Sequence, residues 1–173
     1  MSTAAAVLGG RSGWSRAGAD EEGAAEALLD LERRANLVGL AHVFPADRFA
    51  FPDDDVLVRW RLLLADPSVT VDVVREPGSA RLVAVAAYDD DRLRHLAVDP
   101  DHWGSGLGRA GVERAVVAIR ARGRVPRLWC LADNHRARAL YARLGWRPTG
   151  AERPAPFPPH PTEQEHVLED RDG

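Results

Sequence analysis

Three alternating glycines between a strand-like and a helix-like segment constrain this chain more than any other feature of its sequence. They are Gly104, Gly106 and Gly108, within the run VDPDHWGSGLGR at 98–109. Glycine permits positive φ angles and close backbone approaches that a side chain would prevent. The N–H groups that open the following helix attract negative charge, and Arg109 adds a cation. The run therefore predicts an anion site at a strand-to-helix turn.

Residues before this turn show first helical and then strand periodicity. Apolar residues at four-three spacing over 24–38 predict an amphipathic helix whose cap comes from the acidic residues at 20–22. A second helix follows, and Asp53 is expected to cap it. Alternation over 69–73 and an apolar run over 81–88 then predict a β-hairpin.

From 93 onward the pattern becomes strand, helix, strand and helix. We expect strands over 93–98 and 128–132, a helix that includes Leu107 to Ile119, and a last helix that Asn134 caps and Gly145 ends. This order predicts a single α/β (α+β) domain, in which helices flank a mixed, mostly antiparallel, twisted sheet.

Prolines dominate the stretch after the last helix. They predict a long surface loop, with its proline-rich part at 153–161, before a short strand over 166–169. The N-terminal segment 1–19 is interrupted by glycines and holds at most a first strand. The main domain is therefore assigned to 20–173.

Composition excludes several classes of protein. The net charge of -3 gives no general attraction to nucleic acid or to an anionic membrane. Cys130 is the one cysteine, so an internal disulfide is excluded and a reducing cytosol suits the chain. The six histidines show no metal-site spacing. We expect a cytoplasmic protein that binds no metal, nucleic acid or membrane.

The glycine run also fits two other interpretations. Gly106, Gly108 and Gly111 satisfy the G-x-G-x-x-G pattern of dinucleotide-binding domains, and Asp133 lies near the expected distance downstream. That pattern normally follows the first strand of a doubly wound sheet, whereas here it begins beyond the middle of the chain. A third interpretation is that the glycines serve only the turn and the packing of the helix against the sheet.

Two consecutive motifs resemble those of the GNAT acetyltransferase superfamily. The pattern V-x-P-x-x-x-G-x-G-x-G at 98–108 looks like the acyl-CoA pyrophosphate loop of the family. The pattern N-x-x-A-x-x-L-Y-x-x-x-G-W at 134–146 is similar to its second cofactor motif. The chain departs from the family at Trp103, where Arg or Gln is common, and at Trp146, where Phe is usual.

The resemblance implies acetyl-CoA as the cofactor. It places the pantetheine arm along the backbone of the strand that ends at Val98, and the pyrophosphate at the glycine turn. Asn134 is expected to contact the pantetheine as well as to cap its helix. The implied cofactor-binding residues are Leu96, Ala97, Val98, Gly104, Ser105, Gly106, Leu107, Gly108, Arg109, Asn134 and Tyr141.

Acyl transfer to an amine requires proton transfers. Deprotonating an amine of pKa near 10 at neutral pH costs about 4 to 5 kcal/mol, and the leaving thiolate, with a pKa of about 8.5, needs a proton donor. The resemblance places Tyr141 near the thioester sulfur as general acid, although a core tyrosine would show the same pattern. His95 is a candidate general base, and Glu32, Asp90 and Asp91 are alternatives.

The resemblance places the acceptor between the first helices and the late strands. This implies an acceptor pocket formed by His42, Phe44, Phe49 and Trp60, with the loop around Phe157 as a lid. Ordinary packing would explain the same apolar residues. The expected partner is a small-molecule amine, and the family resemblance also suggests a homodimer.

The predicted activity is therefore N-acetyl transfer from acetyl-CoA to a primary amine by direct attack in a ternary complex. A covalent intermediate on Cys130 is not expected, because burial in a strand disfavours its thiolate. Two alternatives stay open. One is a non-catalytic acyl-CoA-binding module, and the other is the dinucleotide-binding domain.

Overall fold

The computed structural model describes residues 13–169, which form one seven-stranded sheet and four helices. The strands in chain order are β1 (Trp14–Arg16), β2 (Thr70–Arg75), β3 (Leu82–Tyr88), β4 (Arg92–Val98), β5 (Arg127–Leu131), β6 (Arg147–Pro154) and β7 (Thr162–Val167). The helices are α1 (Ala24–Gly39), α2 (Asp53–Ala65), α3 (Leu107–Ala121) and α4 (His135–Arg143). The first twelve residues of the segment assigned to 1–19, and residues 170–173, lie outside the described part.

The strands lie in the order β1-β2-β3-β4-β5-β7-β6. Each neighbouring pair is antiparallel except β4 and β5, which run parallel. The mixed, mostly antiparallel sheet flanked by helices that the sequence predicted is thereby confirmed. The first strand, which glycines made hard to locate, is only three residues long and pairs with β2.

Helices cover both faces of the sheet. α1 and α2 bury Leu28, Leu31 and Trp60 against valines of β2 and β3, while α3 and α4 bury Val112 and Tyr141 on the opposite face. All seven residues of β3 are buried, as expected for a strand enclosed on both faces. The apolar run over 81–88 lacks strict alternation for this reason.

The predicted helix caps at the start of α1 and α2 were wrong. α1 begins after Gly23, which has a φ of 74° and makes no side-chain cap, and Glu21 pairs instead with Arg75. α2 begins after Pro52, so that Asp53 is its first helical residue. The Asp53 carboxylate accepts a hydrogen bond from Arg33 Nε at 2.7 Å and joins the two helices.

The proline-rich stretch is more ordered than the sequence predicted. β6 runs from Arg147 to Pro154 with every residue exposed, and its two prolines, Pro148 and Pro154, lie near its two ends. β6 is the last strand of the sheet, where a missing N–H can face solvent, and edge strands tolerate proline for that reason. The loop is therefore restricted to 155–161, and β7 begins earlier than the predicted 166–169.

Gly111 lies where α3 packs tightly against side chains of the sheet. A Cβ added there would lie 2.8 Å from Leu96 Cδ1, 3.1 Å from Trp14 and 3.3 Å from Ala86. We expect Gly111→Ala to lower the free energy of unfolding by about 1–3 kcal/mol through overpacking. Urea denaturation measures this loss. Alanine ordinarily stabilises a helix by about 1 kcal/mol relative to glycine, so an unchanged or higher stability would contradict the tight packing.

Candidate active site

A cleft of about 1550 Å³ opens where β4 and β5 diverge. The two parallel strands pair only at Arg92 with Arg127 and at Leu93 with Leu128. Beyond that point β4 continues along β3, and β5 continues along β7. The edge of β4 that faces β5 is consequently left without a partner strand over its last residues. The cleft crosses the sheet between the α1/α2 layer and the α3/α4 layer.

A β-bulge in β4 sets which side chains face each layer. Ala87 pairs with His95 while Tyr88 pairs with Leu93, so Arg94 is an extra residue on β4. After the bulge, His95 packs against Trp60 of α2, with ring centroids 5.1 Å apart. Leu96 faces α3 on the other side of the sheet. The bulge thus directs His95 into the cleft on the α1/α2 side.

The glycine turn connects β4 to α3 through one turn of 3-10 helix, Pro100–His102. Gly104 has a φ of 78° and Gly106 has a φ of 88°, and Gly106 occupies the position just before α3. No side chain caps α3. Because the first N–H groups of a helix lack partners within it, the amides at the start of α3 are free to bind an anion.

The other predicted residues of this turn have distinct positions. Gly108 packs α3 near α4, since a Cβ there would lie 3.4 Å from Leu140. Ser105 does not line the cleft, because its hydroxyl donates to the His102 carbonyl at 2.6 Å within the turn. Arg109 is exposed and pairs with Glu113 at 2.7 Å. All the predicted cofactor-binding residues other than Ser105 line the cleft.

Asp99 connects the glycine turn to neighbouring elements through its buried carboxylate. Its carboxylate is 1% exposed and accepts hydrogen bonds from Arg34 Nε at 2.9 Å, from Arg81 at 2.8 Å and from the Asp101 amide at 3.0 Å. Burial raises the pKa of Asp99, but the Asp101 amide and the two arginines outweigh it, and the net pKa is lowered. Asp99 therefore ties α1 and β3 to the glycine turn as a carboxylate.

We expect Asp99→Asn to lower the free energy of unfolding at pH 7 by about 1–3 kcal/mol, because charge-assisted hydrogen bonds are lost. A lowered folded-state pKa means that the carboxylate stabilises the protein above its unfolded pKa of about 4 and stops doing so as the pH falls through the folded value. The gap between wild type and variant should therefore narrow below about pH 4. Urea titrations at pH 7 and pH 3 measure it, and an equal gap at both would contradict this role.

Helix α4 presents two predicted site residues to the cleft. Asn134 is its cap, as predicted, and its side-chain oxygen accepts a hydrogen bond from the Ala137 amide at 3.1 Å. Tyr141 is 6% exposed, with its ring 5.9 Å from that of Trp146. Its hydroxyl has no hydrogen-bond partner among residues 13–169. Burial, followed by the nearby Cys130, raises the pKa of Tyr141, so the phenol stays protonated at physiological pH.

His95 lines the same cleft as Tyr141. Desolvation of the ring, followed by the charges of Arg59 and Arg94, lowers the pKa of His95 well below its ordinary value. The imidazole is consequently neutral at pH 7 and can accept a proton. Of the alternative bases, Glu32 lines the cleft, whereas Asp90 and Asp91 lie in the turn before β4 and do not.

The predicted acceptor residues separate in the structure. Phe44 and Trp60 line the cleft, and Phe49 lines a smaller neighbouring cavity. His42 lines neither cavity. Its Nε2 lies 2.8 Å from the Asp133 carbonyl, and its ring stacks on that of His135 at 5.7 Å, so it connects the segment after α1 to the start of α4.

Cys130 is buried on the β5 side of the cleft. Burial is the main cause that raises the pKa of its thiol to about 12. The thiolate is therefore scarce at neutral pH, in agreement with the expectation that Cys130 is no nucleophile.

Sequence analysis missed two arginines of the cleft, Arg136 and Arg143, and noted Trp103 only as a departure from the family motif. Trp103 donates its Nε1–H to the Val98 carbonyl at 2.9 Å, and the guanidinium of Arg136 lies 3.8 Å from its ring centroid. Arg136 and Arg143 both line the cleft. Arg136 and Arg143 are seven residues apart on α4, which places them on one face of the helix. This spacing could have identified them in the sequence as a pair of cations on the same face.

The cleft fits an acyl-CoA. The free amides at the start of α3, together with the cations Arg109, Arg136 and Arg143, suit its phosphates. The unpaired edge of β4 suits the amides of an extended arm. Gly104 and Gly106 have open space where a Cβ would point, so a ligand can approach their backbone closely.

A splayed mixed sheet with an anion-binding turn at one end of the cleft defines a protein that binds an extended, phosphate-bearing ligand. The sequence model of the Acetyltransferase (GNAT) family matches residues 19–146, and the chain belongs to this family. The resemblance identified from the two motifs is confirmed. The dinucleotide-binding alternative is excluded by the fold, because the glycine turn follows the fourth strand of a mostly antiparallel sheet.

Two curated relatives match part of the chain. Mycothiol acetyltransferase of Beutenbergia cavernae is 38% identical over 102 residues, which are 55% of this chain and 34% of that protein. The ribosomal protein bS18-alanine N-acetyltransferase of Escherichia coli is 39% identical over 70 residues, which are 39% of this chain and 47% of that protein. The chain thus spans between about a third and a half of the length of these relatives.

Solved structures share the fold over most of their length. PaiA N-acetyltransferase of Thermoplasma acidophilum, in complex with coenzyme A, has a TM-score of 0.63 at 11% identity and covers 90% of this chain and 98% of that one. The structure of yncA from Salmonella typhimurium with acetyl-CoA has a TM-score of 0.60 at 21% identity and covers 92% and 95%. Among the described residues, no helix is both long and apolar enough to span a membrane.

Proposed function

We propose that the chain is an N-acetyltransferase that uses acetyl-CoA to acylate a primary amine. The observation that carries the proposal is the position of the Tyr141 phenol, which has no partner among residues 13–169, in the same cleft as the free amides of the glycine turn. Family membership supports it, as do the relatives named as acetyltransferases and the similar structures that contain coenzyme A or acetyl-CoA.

Acetyl-CoA supplies the acetyl group as a thioester. The residues proposed to hold it lie on the side of the cleft next to α3 and α4. The amides of the glycine turn and of Leu107 to Arg109 bind phosphate oxygens, and Arg136 and Arg143 add positive charge. The backbone of Leu96, Ala97 and Val98 orients the arm.

Tyr141 is proposed as the proton donor to the departing sulfur. Its raised pKa keeps the phenol protonated, so a donor is present at every physiological pH. The same raised pKa makes Tyr141 a weaker acid than the sequence suggested. A group with a pKa just above the thiol pKa of about 8.5 would release its proton more easily than Tyr141 does. Its contribution therefore begins as a hydrogen bond to the sulfur, in a desolvated site where such bonds are strong.

His95 is proposed as the proton acceptor for the amine. It enters the cleft from β4 beside Trp60, and its lowered pKa leaves a ring nitrogen free to accept a proton at pH 7. Because a lowered pKa also makes it a weak base, its role is to relay the proton toward solvent rather than to keep it. The rate should consequently fall as His95 becomes protonated, and this fall should come well below pH 6.5.

The amine is proposed to be a small molecule that attacks directly in a ternary complex. The acceptor side of the cleft is lined by side chains of α1, of α2, of the segment between them and of the β6–β7 turn, including Phe44, Trp60 and Phe157. The thiol pKa of about 12 at Cys130 supports direct transfer, because an acyl-cysteine would require a thiolate.

Two measurements on the whole chain test the proposal. Acetyl-CoA at 100 times its dissociation constant should stabilise the fold by about 2.7 kcal/mol, which raises Tm by several degrees for a domain of this size, whereas NAD should not. Thiol release from acetyl-CoA should then depend on an added primary amine. Stabilisation without thiol release over a broad amine panel would instead support the non-catalytic acyl-CoA-binding module.

A further inference from the structure

All four phenylalanines of the sequence line one cavity of about 320 Å³ beside the cleft. They are Phe44, Phe49, Phe51 and Phe157. None of them is fully buried, although phenylalanine is among the residues most often found in protein interiors. The lining is mainly apolar with a few polar side chains, and such a cavity is typical of a small-molecule site. We call this cavity the phenylalanine pocket.

Backbone hydrogen bonds hold the pocket walls in place. The Phe44 amide donates to the Leu40 carbonyl at 2.8 Å, and the Phe49 amide donates to the Pro45 carbonyl at 2.9 Å. Phe157 comes from the β6–β7 turn, where the His160 amide donates to the Phe157 carbonyl at 2.8 Å. The turn is also closed at its base by a 2.8 Å bond from the Ala155 amide to the Pro161 carbonyl. These bonds fix the backbone positions from which Phe44, Phe49 and Phe157 enter the pocket.

Glu32 and Asn36 mark the junction between the pocket and the cleft, since both residues line both cavities. They are one turn apart on α1 and so share a face. Both hydrogen bonds to Glu32 end on Oε2, from Arg59 and from Trp60 Nε1 at 2.8 Å. Within residues 13–169, Glu32 Oε1 and the Asn36 side-chain amide have no hydrogen-bond partner. Two polar groups are thus available where an apolar pocket meets the proposed reaction site.

We propose that the acceptor is a small primary amine that carries a bulky, uncharged apolar group, such as a phenyl ring. The ring occupies the phenylalanine pocket, and the amine passes Glu32 and Asn36 into the cleft, where hydrogen bonds to these residues orient it. This inference rests on the proposed acetyltransferase function. A ring in the pocket removes apolar surface from water on both sides of the contact, which favours it over a small polar amine.

The first test compares 3-phenylpropylamine with propylamine, which share the amine and differ by one phenyl ring. In thiol-release assays, kcat/KM should be about 10- to 100-fold higher for 3-phenylpropylamine, the gain expected from burying an aromatic group. Equal values would overturn the inference while leaving the acetyltransferase proposal intact. A preference for a peptide with an N-terminal Phe over the free amine would overturn the small-molecule acceptor.

Phe49→Ala should lower kcat/KM for 3-phenylpropylamine about 10-fold and leave propylamine within about twofold. Leu62→Ala is the matched control, because Leu62 is 67% exposed on α2, lines neither cavity and loses a comparable apolar group. It should change neither value. An equal loss for both amines in Phe49→Ala would show a folding or general catalytic effect and would overturn the assignment.

A binding measurement separates this inference from the proposed function. N,N-dimethyl-3-phenylpropylamine has no transferable N–H, yet it should raise Tm of the wild-type protein in the presence of CoA by more than N,N-dimethylpropylamine does. Phe49→Ala should abolish the difference, and Leu62→Ala should keep it. If no amine releases thiol but this pattern is found, the pocket is retained and the transferase proposal fails. If the pattern is missing, the pocket assignment fails.

Discussion

Tyr141→Phe should lower kcat about 10²- to 10⁴-fold and change the affinity for CoA far less. The variant removes one hydroxyl that has no hydrogen-bond partner among the described residues, while the ring keeps its contacts with Trp146 and His166. A loss of that size is expected when a proton donor is removed from an active site. Thiol-release kinetics measure kcat, and a shift of Tm by CoA measures binding. A tyrosine present only for packing would show no loss of kcat.

Tyr88→Phe is the matched control, because the sequence contains only two tyrosines. The Tyr88 hydroxyl donates to Asp72 at 2.8 Å in the buried interior, and burial is the first cause that raises its pKa to about 12. Its removal should cost about 1–2 kcal/mol of unfolding free energy with kcat preserved. Tyr141→Phe should show the opposite pattern, with stability unchanged within about 0.5 kcal/mol. Equal behaviour of the two variants would contradict a catalytic Tyr141.

The elements that the sequence predicted well are those with strong periodicity. The hairpin of β2 and β3, the strand-turn-helix at the glycine run and the Asn134 cap each depend on residues within one segment. Local rules suffice there, since the side-chain spacing and the cap chemistry are written in consecutive residues. The motif at 98–108 could be located for the same reason.

Features that depend on the final position of an element could not be predicted in this way. The prolines of β6 are tolerated because β6 lies at the sheet edge, which no local pattern reveals. Asp53 contacts Arg33 of another helix instead of capping its own, because the ion pair forms only when α1 and α2 pack together. The four phenylalanines likewise converge from segments about 100 residues apart.

The glycine run contains both kinds of feature: some of its glycines follow from local chemistry, and others follow from tertiary packing. Local chemistry predicts that some of its glycines need positive φ, and Gly104 and Gly106 do. Tertiary packing explains the others, since Gly108 faces Leu140 and Gly111 faces Leu96. The interpretation in which glycines serve only the turn and packing therefore describes part of the run. Gly104 and Gly106 are therefore the two glycines of the run whose backbone a ligand can approach closely. A substitution at Gly106 tests whether a ligand does so.

Gly106→Val should weaken CoA binding by at least about 100-fold. The valine side chain would fill the open space around Gly106, next to the amides proposed to bind phosphate. Two or more charge-assisted hydrogen bonds would therefore be lost, at about 1.5–3 kcal/mol each. A β-branched residue at a φ of 88° is also strained by about 1–2 kcal/mol, which lowers stability. Isothermal titration with CoA measures the affinity, and urea denaturation measures the stability.

Gly123→Val separates the two effects of that substitution. Gly123 has a φ of 69° and no atom within 4 Å of an added Cβ, so its backbone strain should match that at Gly106. It lies just beyond the C-terminal end of α3, however, and does not line the cleft. We expect both variants to lose similar stability and only Gly106→Val to lose CoA affinity. If Gly123→Val weakened CoA binding to the same degree, the loss would reflect a damaged helix α3, and the glycine turn would no longer be assigned to the phosphates.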